Sequence, residues 1–305
     1  MESRRRPRPP VQHRGRPGVI EDLSRESLYV ELRMMRTGGD DRAFLVVEGH
    51  TDSAVFDDHI DARHCVSVPA YGKERAISAI EEVERNGDHG IFAILDKDWV
   101  GLLELEPKLP DSLVAYTDAY DLDACIFYSK RTVIRQAASF CSDMFRIGDA
   151  GSEEHHLIDA CIELALPVGA LRFISERDGA GLSLRDFPLN EVVSGDYPYE
   201  IDKRKLVEIS AKRAGKSIDS ESTLKKLNSA LARLPNNSRY CSGHDLFKAL
   251  AIILKRKWGG RVGAQQLEQS ARAAMGHERL SALFLYERIR LIAERSGYRV
   301  WQNAA

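Results

Sequence analysis

The sequence predicts an α/β fold: a Rossmann-like domain with a mostly parallel sheet, followed by a mainly helical C-terminal region. Two observations predict it. Short apolar runs such as AFLVVE (43–48) and IFAIL (91–95) alternate with stretches of helical period up to about residue 125, which is the mark of βαβ units. Beyond that point the strand signal fades and apolar residues recur at helical spacing. The chain of 305 residues is 43 % apolar, enough to bury a core, and 30 % charged with both signs mixed.

The elements follow in order. Residues 1–20 form a basic arm; its first 18 positions hold six arginines and four prolines without apolar periodicity, which predicts disorder. The α/β domain then spans 21–125 with a leading helix. That helix starts after Asp22 or Ser24, places Leu28, Leu32 and Met35 at i, i+4 and i+7, and ends at Gly38-Gly39. Residues 43–48 read as a buried strand, and a turn at Gly49 leads into a helix over 51–60. HCVSV (64–68) is a second strand. Gly72 precedes a helix over 73–85 with Ile77, Ile80 and Val83 on one face. IFAIL and SLVAYT (112–117) supply the third and fourth strands. In the helical region, 126–305, the pattern predicts helices near 130–145, 153–166, 202–213, 221–233, 244–257, 264–274 and 280–296, with 170–200 as loop and short elements.

Carboxylates gather at three strand ends. Glu48 closes the first strand and Asp52 follows four residues later. Asp96 and Asp98 follow the third strand in DKDWVG, and Asp118, Asp121 and Asp123 follow the fourth in TDAYDLD. An open parallel sheet binds ligands beyond the carboxyl ends of its strands. Carboxylates brought together there need protonation or a bound cation, and hard oxygen donors select Mg²⁺, Mn²⁺ or Ca²⁺ over softer metals.

The pairing of LVVEGHTD (45–52) with AILDKDWVG (93–101) resembles the TOPRIM family shared by topoisomerases, bacterial primases and OLD-type nucleases. The family's strand-end Glu and its D-x-D-x-x-G correspond here to Glu48, Asp96, Asp98 and Gly101. YTDAYDLDACIF is similar to a third acidic motif in an OLD-like branch that includes PARIS-type antiphage effectors; that branch has Glu near the position of Asp123. CSGHDLFKAL (241–250) resembles a late helix start of the same branch. The resemblance implies a Mg²⁺- or Mn²⁺-dependent nuclease with Glu48, Asp52, Asp96 and Asp98 as catalytic residues. Glu48, Asp96, Asp98, Asp121 and Asp123 would then serve the metal. It also implies a homodimeric defence effector held inactive by an ABC-type ATPase partner, acting on RNA such as tRNA, or on DNA. His244, Asp245 and Lys248 are candidates for contact with substrate, water or the acidic loops.

Net charge by segment runs +3 over 1–40, −16 over 41–199 and +11 over 200–305. The basic C-terminal helices, with Lys255, Arg256, Lys257 and Arg261 beside Trp258, and with Tyr286, Tyr298 and Trp301 further on, suit phosphate contact and base stacking or the docking of a partner, and amphipathic packing explains the same aromatics as core. No G-x-x-x-x-G-K-[ST] occurs, so an ATPase would come from a partner chain. Five cysteines without a C-x-x-C pair argue against a zinc ribbon and a disulfide framework. The absence of a signal-like start and of a run of about 18 apolar residues predicts a cytoplasmic protein away from membranes. Two other readings stay open: a catalytically silent binding subunit, and a primase-like nucleotidyl transferase.

Overall fold

Four short strands, β1 (Ala43–Val47), β2 (Cys65–Pro69), β3 (Ile91–Leu95) and β4 (Val114–Tyr116), form one sheet in the order β2-β1-β3-β4, every pair parallel. The computed structural model describes residues 28–105, 107–141, 150–234 and 239–302. The arm over 1–20 and the helix start near Asp22 or Ser24 lie outside the described residues.

Side chains alternate across a strand, and the sequence uses both faces. Phe44 and Val46 of β1, with Ile91, Ala93 and Leu95 of β3, face a core built from α1 (28–37) and α3 (Lys73–Asn86). Leu28 and Leu32 of α1 are buried there. Their burial contributes about 3–6 kcal/mol together, whereas surface i,i+4 pairs give only about 0.2–0.5 kcal/mol each; the apolar seam holds this helix. Leu45, Val47, Phe92 and Ile94 point the other way, toward α2 (His50–Asp57), α4 (Leu122–Tyr128) and α12 (Phe284–Arg295).

The second face continues without a break into the helical region. That region comprises α5 (Lys130–Phe140), α6 (Ala150–Arg177), α7 (Lys203–Arg213), α8 (Ser220–Leu231), α9 (Gly243–Trp258), α10 (Ala264–Ala273), the one-turn α11 (His277–Leu280) and α12, with a small antiparallel pair β5 (Val193–Ser194) and β6 (Glu200–Ile201). Residues 300–302 return to the connection between α2 and β2. Asp61 N–H donates to the Val300 carbonyl at 2.9 Å, and Gln302 N–H to the His59 carbonyl at 2.9 Å. Trp301 stacks on Tyr286 with centroids 4.7 Å apart.

One expectation needs correction, and one open alternative is decided. The helix expected over 153–166 runs to Arg177 through Pro167. Proline removes one donor from the ladder, but Val168, Leu171 and Ile174 beyond it are buried, and that packing carries the helix on. Gly169 permits it: a Cβ there would lie 1.8 Å from the Tyr240 carbonyl oxygen. Trp258 and Trp301 are also buried, so they fill the core and are closed to stacking with a base. Among the described residues, no helix is long and apolar enough to cross a membrane.

Candidate active site at the carboxyl edge of the sheet

Parallel strands end on one side, and the carboxylates expected there are tied to one another through backbone amides. Glu48, next after β1, accepts the Asp96 N–H on Oε1 at 2.8 Å. Asp96, next after β3, accepts the Leu122 N–H on Oδ1 at 3.0 Å. Asp121 caps α4, accepting the Ala124 N–H at 2.7 Å, and also accepts the Gly243 N–H at 3.0 Å. The ends of β1 and β3 and the starts of α4 and α9 are thus fastened in series by carboxylate–amide bonds. Gly243 is required at the last contact, since a Cβ would fall 2.2 Å from Asp123 Cβ.

The other acidic residues border this series. Asp98 sits at φ +37° and donates its N–H to the Tyr120 carbonyl at 2.7 Å. Its carboxylate accepts from Lys73 Nζ at 2.6 Å, and Lys73 also donates to the Asp96 carbonyl at 2.8 Å. Asp52, in the first turn of α2, accepts the Gly49 N–H at 3.0 Å. Asp123 is gripped by both ends of the Arg272 guanidinium, with Nε at 2.6 Å. Asp118 serves the fold, accepting the N–H groups of Phe284 and Leu285 at 2.6 and 2.9 Å and so capping α12.

Burial and mutual repulsion oppose ionisation here. Burial, reinforced by Asp98 and Asp52, pushes Glu48 up to about 7 against the pull of the Asp96 N–H and Lys73. Asp96 lies well above the usual carboxylate range through burial and the neighbouring charges of Glu48 and Asp121. Burial and Asp123 push Asp121 up to about 7. Asp52 is also raised by burial, with Arg272 opposing. A cluster in this state gains from any added cation.

The donor chemistry fits a hard divalent ion. Among the described residues, no three His, Cys, Asp or Glu side chains form a ready cage. Mg²⁺ does not need one: one or two carboxylates, waters and a substrate phosphate suffice. Glu48, Asp96 and Asp98 offer only oxygen, and the raised pKa values of Glu48 and Asp96 come first from burial and then from neighbouring carboxylates, so a cation bound there would favour their ionised forms.

The late candidates divide. Only the Gly243 N–H of the Gly-His-Asp segment reaches the acidic edge. His244 lies between Glu268 (Nδ1, 2.6 Å) and Asp186 (Nε2, 2.7 Å), and the Glu268 hydrogen bond raises its pKa. Asp245 is buried against Arg172 at 2.6 Å and the Ser242 hydroxyl at 2.9 Å, and the same guanidinium lies over the Tyr120 ring and feels the charge of Asp121. Lys248 donates to the Phe187 carbonyl at 3.1 Å, and burial lowers its pKa. Lys255, Arg256, Lys257 and Arg261 are all exposed. Arg256 donates to the Val193 carbonyl at 3.2 Å, and Lys257 sits 3.8 Å from the Tyr197 ring centroid; both hold the β5–β6 segment.

Sequence reasoning missed Lys73 and Arg272. Lys73 had a signal: it opens the helix after the second strand, just past Gly72, on the side where the strands end. Arg272 had none, being 149 residues from Asp123 in the chain. No protein-family model matches this chain, nor does any curated protein sequence.

Proposed function

We propose that the chain is a metal-dependent nuclease of the TOPRIM type, hydrolysing phosphodiester bonds at the carboxyl edge of the sheet. The observation that carries this reading is the series Glu48–Asp96–Leu122, which joins acidic residues from two strand ends within one hydrogen-bonded unit. Glu48, Asp96 and Asp98 would hold Mg²⁺ or Mn²⁺, with Asp52, Asp121 and Asp123 around them. The ion would supply charge stabilisation to the phosphoryl oxygens. Glu48 would serve either as a ligand or as the general base that takes a proton from the attacking water; in the metal-free protein burial places it at about 7. The water oxygen bonds to phosphorus, one P–O ester bond breaks, and the departing oxygen receives a proton. Lys73 steers Asp98.

The resemblance in LVVEGHTD, DKDWVG and TDAYDLD extends the proposal to a cytoplasmic, homodimeric toxic effector of antiphage defence, restrained by an ABC-type ATPase and acting on RNA such as tRNA, or on DNA. One observation favours a second reading. Lys73 and Arg272 already neutralise Asp98 and Asp123, which suits a silent binding subunit that needs no metal. A Mg²⁺ and Mn²⁺ titration followed by thermal melting separates the two. The nuclease reading expects metal to raise Tm in the wild type and much less in Glu48→Gln. Identical melting curves with and without metal would favour the silent subunit.

A further inference from the structure

Two exposed aromatic rings stand at opposite ends of the acidic edge. Tyr71 lies just beyond β2, at one border of the sheet, and its side chain is 68 % exposed. The flanking amides fix its place: Ala70 N–H donates to the Val47 carbonyl at 2.8 Å and Gly72 N–H to the Glu48 carbonyl at 2.9 Å. Tyr71 is therefore held against the backbone of the residue that opens the acidic series. Its φ is +57°, a conformation that L side chains adopt at a cost and that glycine would adopt freely. A bulky ring held there and turned to solvent gains nothing from the core, and strain of this kind gathers at ligand-binding positions.

Phe284 is the counterpart beyond β4. Its N–H donates to Asp118, two residues past that strand, and its ring is 71 % exposed. It borders a cavity of about 460 Å³ along β4, lined also by Lys97, Arg288, Asp111 and Asp118, with Arg288 paired to Asp111. The strand order puts Glu48 after β1 and Asp96 after β3 between the two rings. Neighbouring strands lie about 4.8 Å apart, so four strands span roughly 14 Å.

We infer that this edge takes single-stranded nucleic acid, with unpaired bases stacking on Tyr71 and Phe284 on either side of the scissile phosphate. The inference rests on the nuclease reading and adds the substrate class. Stacking accepts every base, because each has a π-face, but it needs the base unpaired. A duplex keeps its base faces covered and offers neither ring a partner.

The test uses the full chain carrying Glu48→Gln, so that probes survive, and measures Kd by fluorescence anisotropy. The probes are an unstructured RNA, an unstructured DNA of the same sequence and a blunt duplex. Tyr71→Ala and Phe284→Ala should each weaken single-strand binding by about 5- to 150-fold. Tyr71→Phe should bind like its parent, and duplex binding should stay weak throughout. Equal loss with RNA and DNA is expected from stacking; loss confined to RNA would still support the rings and would place discrimination at the sugar. Unchanged single-strand Kd in both alanine variants overturns the inference alone. Dissociation of a dimer by Phe284→Ala with single-strand binding intact would likewise overturn it, marking an assembly surface. Failure of the Glu48→Gln chain to bind any probe would remove the nucleic-acid reading and this inference together.

Discussion

Glu48 shows how a single carboxylate carries both a cost and a use. In the metal-free protein its pKa stands at about 7 against the usual 4.5, mainly through burial. A carboxylate raised on folding binds protons in the native state that the unfolded chain has already released. Stability therefore falls as pH rises from about 4.5 through 7 and levels off above. Asp121, also at about 7, adds to the same trend. Glu48→Gln keeps an acceptor for the Asp96 N–H and removes the charge. We expect the variant to melt higher than the wild type at pH 8, and the gap to close at pH 5. One pKa unit is worth about 1.4 kcal/mol, which sets a ceiling of about 3 kcal/mol on the gain. Thermal melting in chelator across pH 5–8 checks it; a variant less stable than the wild type at pH 8 would show that the charge is already compensated.

At the scale of elements, the site is closed by helices remote in sequence. The N-terminus of α9 meets Asp121 through Gly243, and α10 meets Asp123 through Arg272. Gly243→Ala must push α9 away from α4, because its Cβ would also lie 2.4 Å from the Ala124 nitrogen. Overpacking of this kind costs about 1–3 kcal/mol, and the same shift lifts the Gly243 N–H from Asp121. Urea denaturation should show the loss, and metal titration a weaker affinity; wild-type values for both would mean that α9 does not support the acidic edge. Arg272→Met leaves Asp123 half-buried without its partner, at a cost of about 1–3 kcal/mol, which Mn²⁺ should partly restore in a melting experiment. These junctions mark the limit of what the sequence discloses. Glu48, Asp96 and Asp98 were legible because an acidic residue after an apolar strand must emerge at the strand's carboxyl end. Arg272 was illegible because only tertiary packing brings α10 to α4. The continuation of α6 past Pro167 was hidden for the same reason, and Trp258 and Trp301 carry no local sign that separates core from stacking platform.

For the whole molecule, the charge asymmetry is partly spent on folding. The basic C-terminal region docks on the acidic half through Arg272 on Asp123 and Arg288 on Asp111. Lys255, Arg256, Lys257 and Arg261 remain exposed. Changing Lys255, Arg256, Lys257 and Arg261 to Gln should flatten the salt dependence of nucleic-acid binding, by about one unit of slope for each phosphate no longer neutralised. A full slope in that variant would locate the phosphate-binding groups elsewhere. Arg256 and Lys257 also anchor β5–β6, so melting of the same variant separates the effect of charge from that of structure. The central claim, that the carboxyl edge is a metal-dependent nuclease centre, is tested most directly by cleavage of a labelled single strand. The purified chain is assayed with Mg²⁺, with Mn²⁺ and with chelator, beside Glu48→Gln. A metal-dependent centre cleaves only with metal, and about 100-fold or more slowly in the folded variant. Cleavage that persists in chelator, or that Glu48→Gln leaves at the wild-type rate, would contradict it.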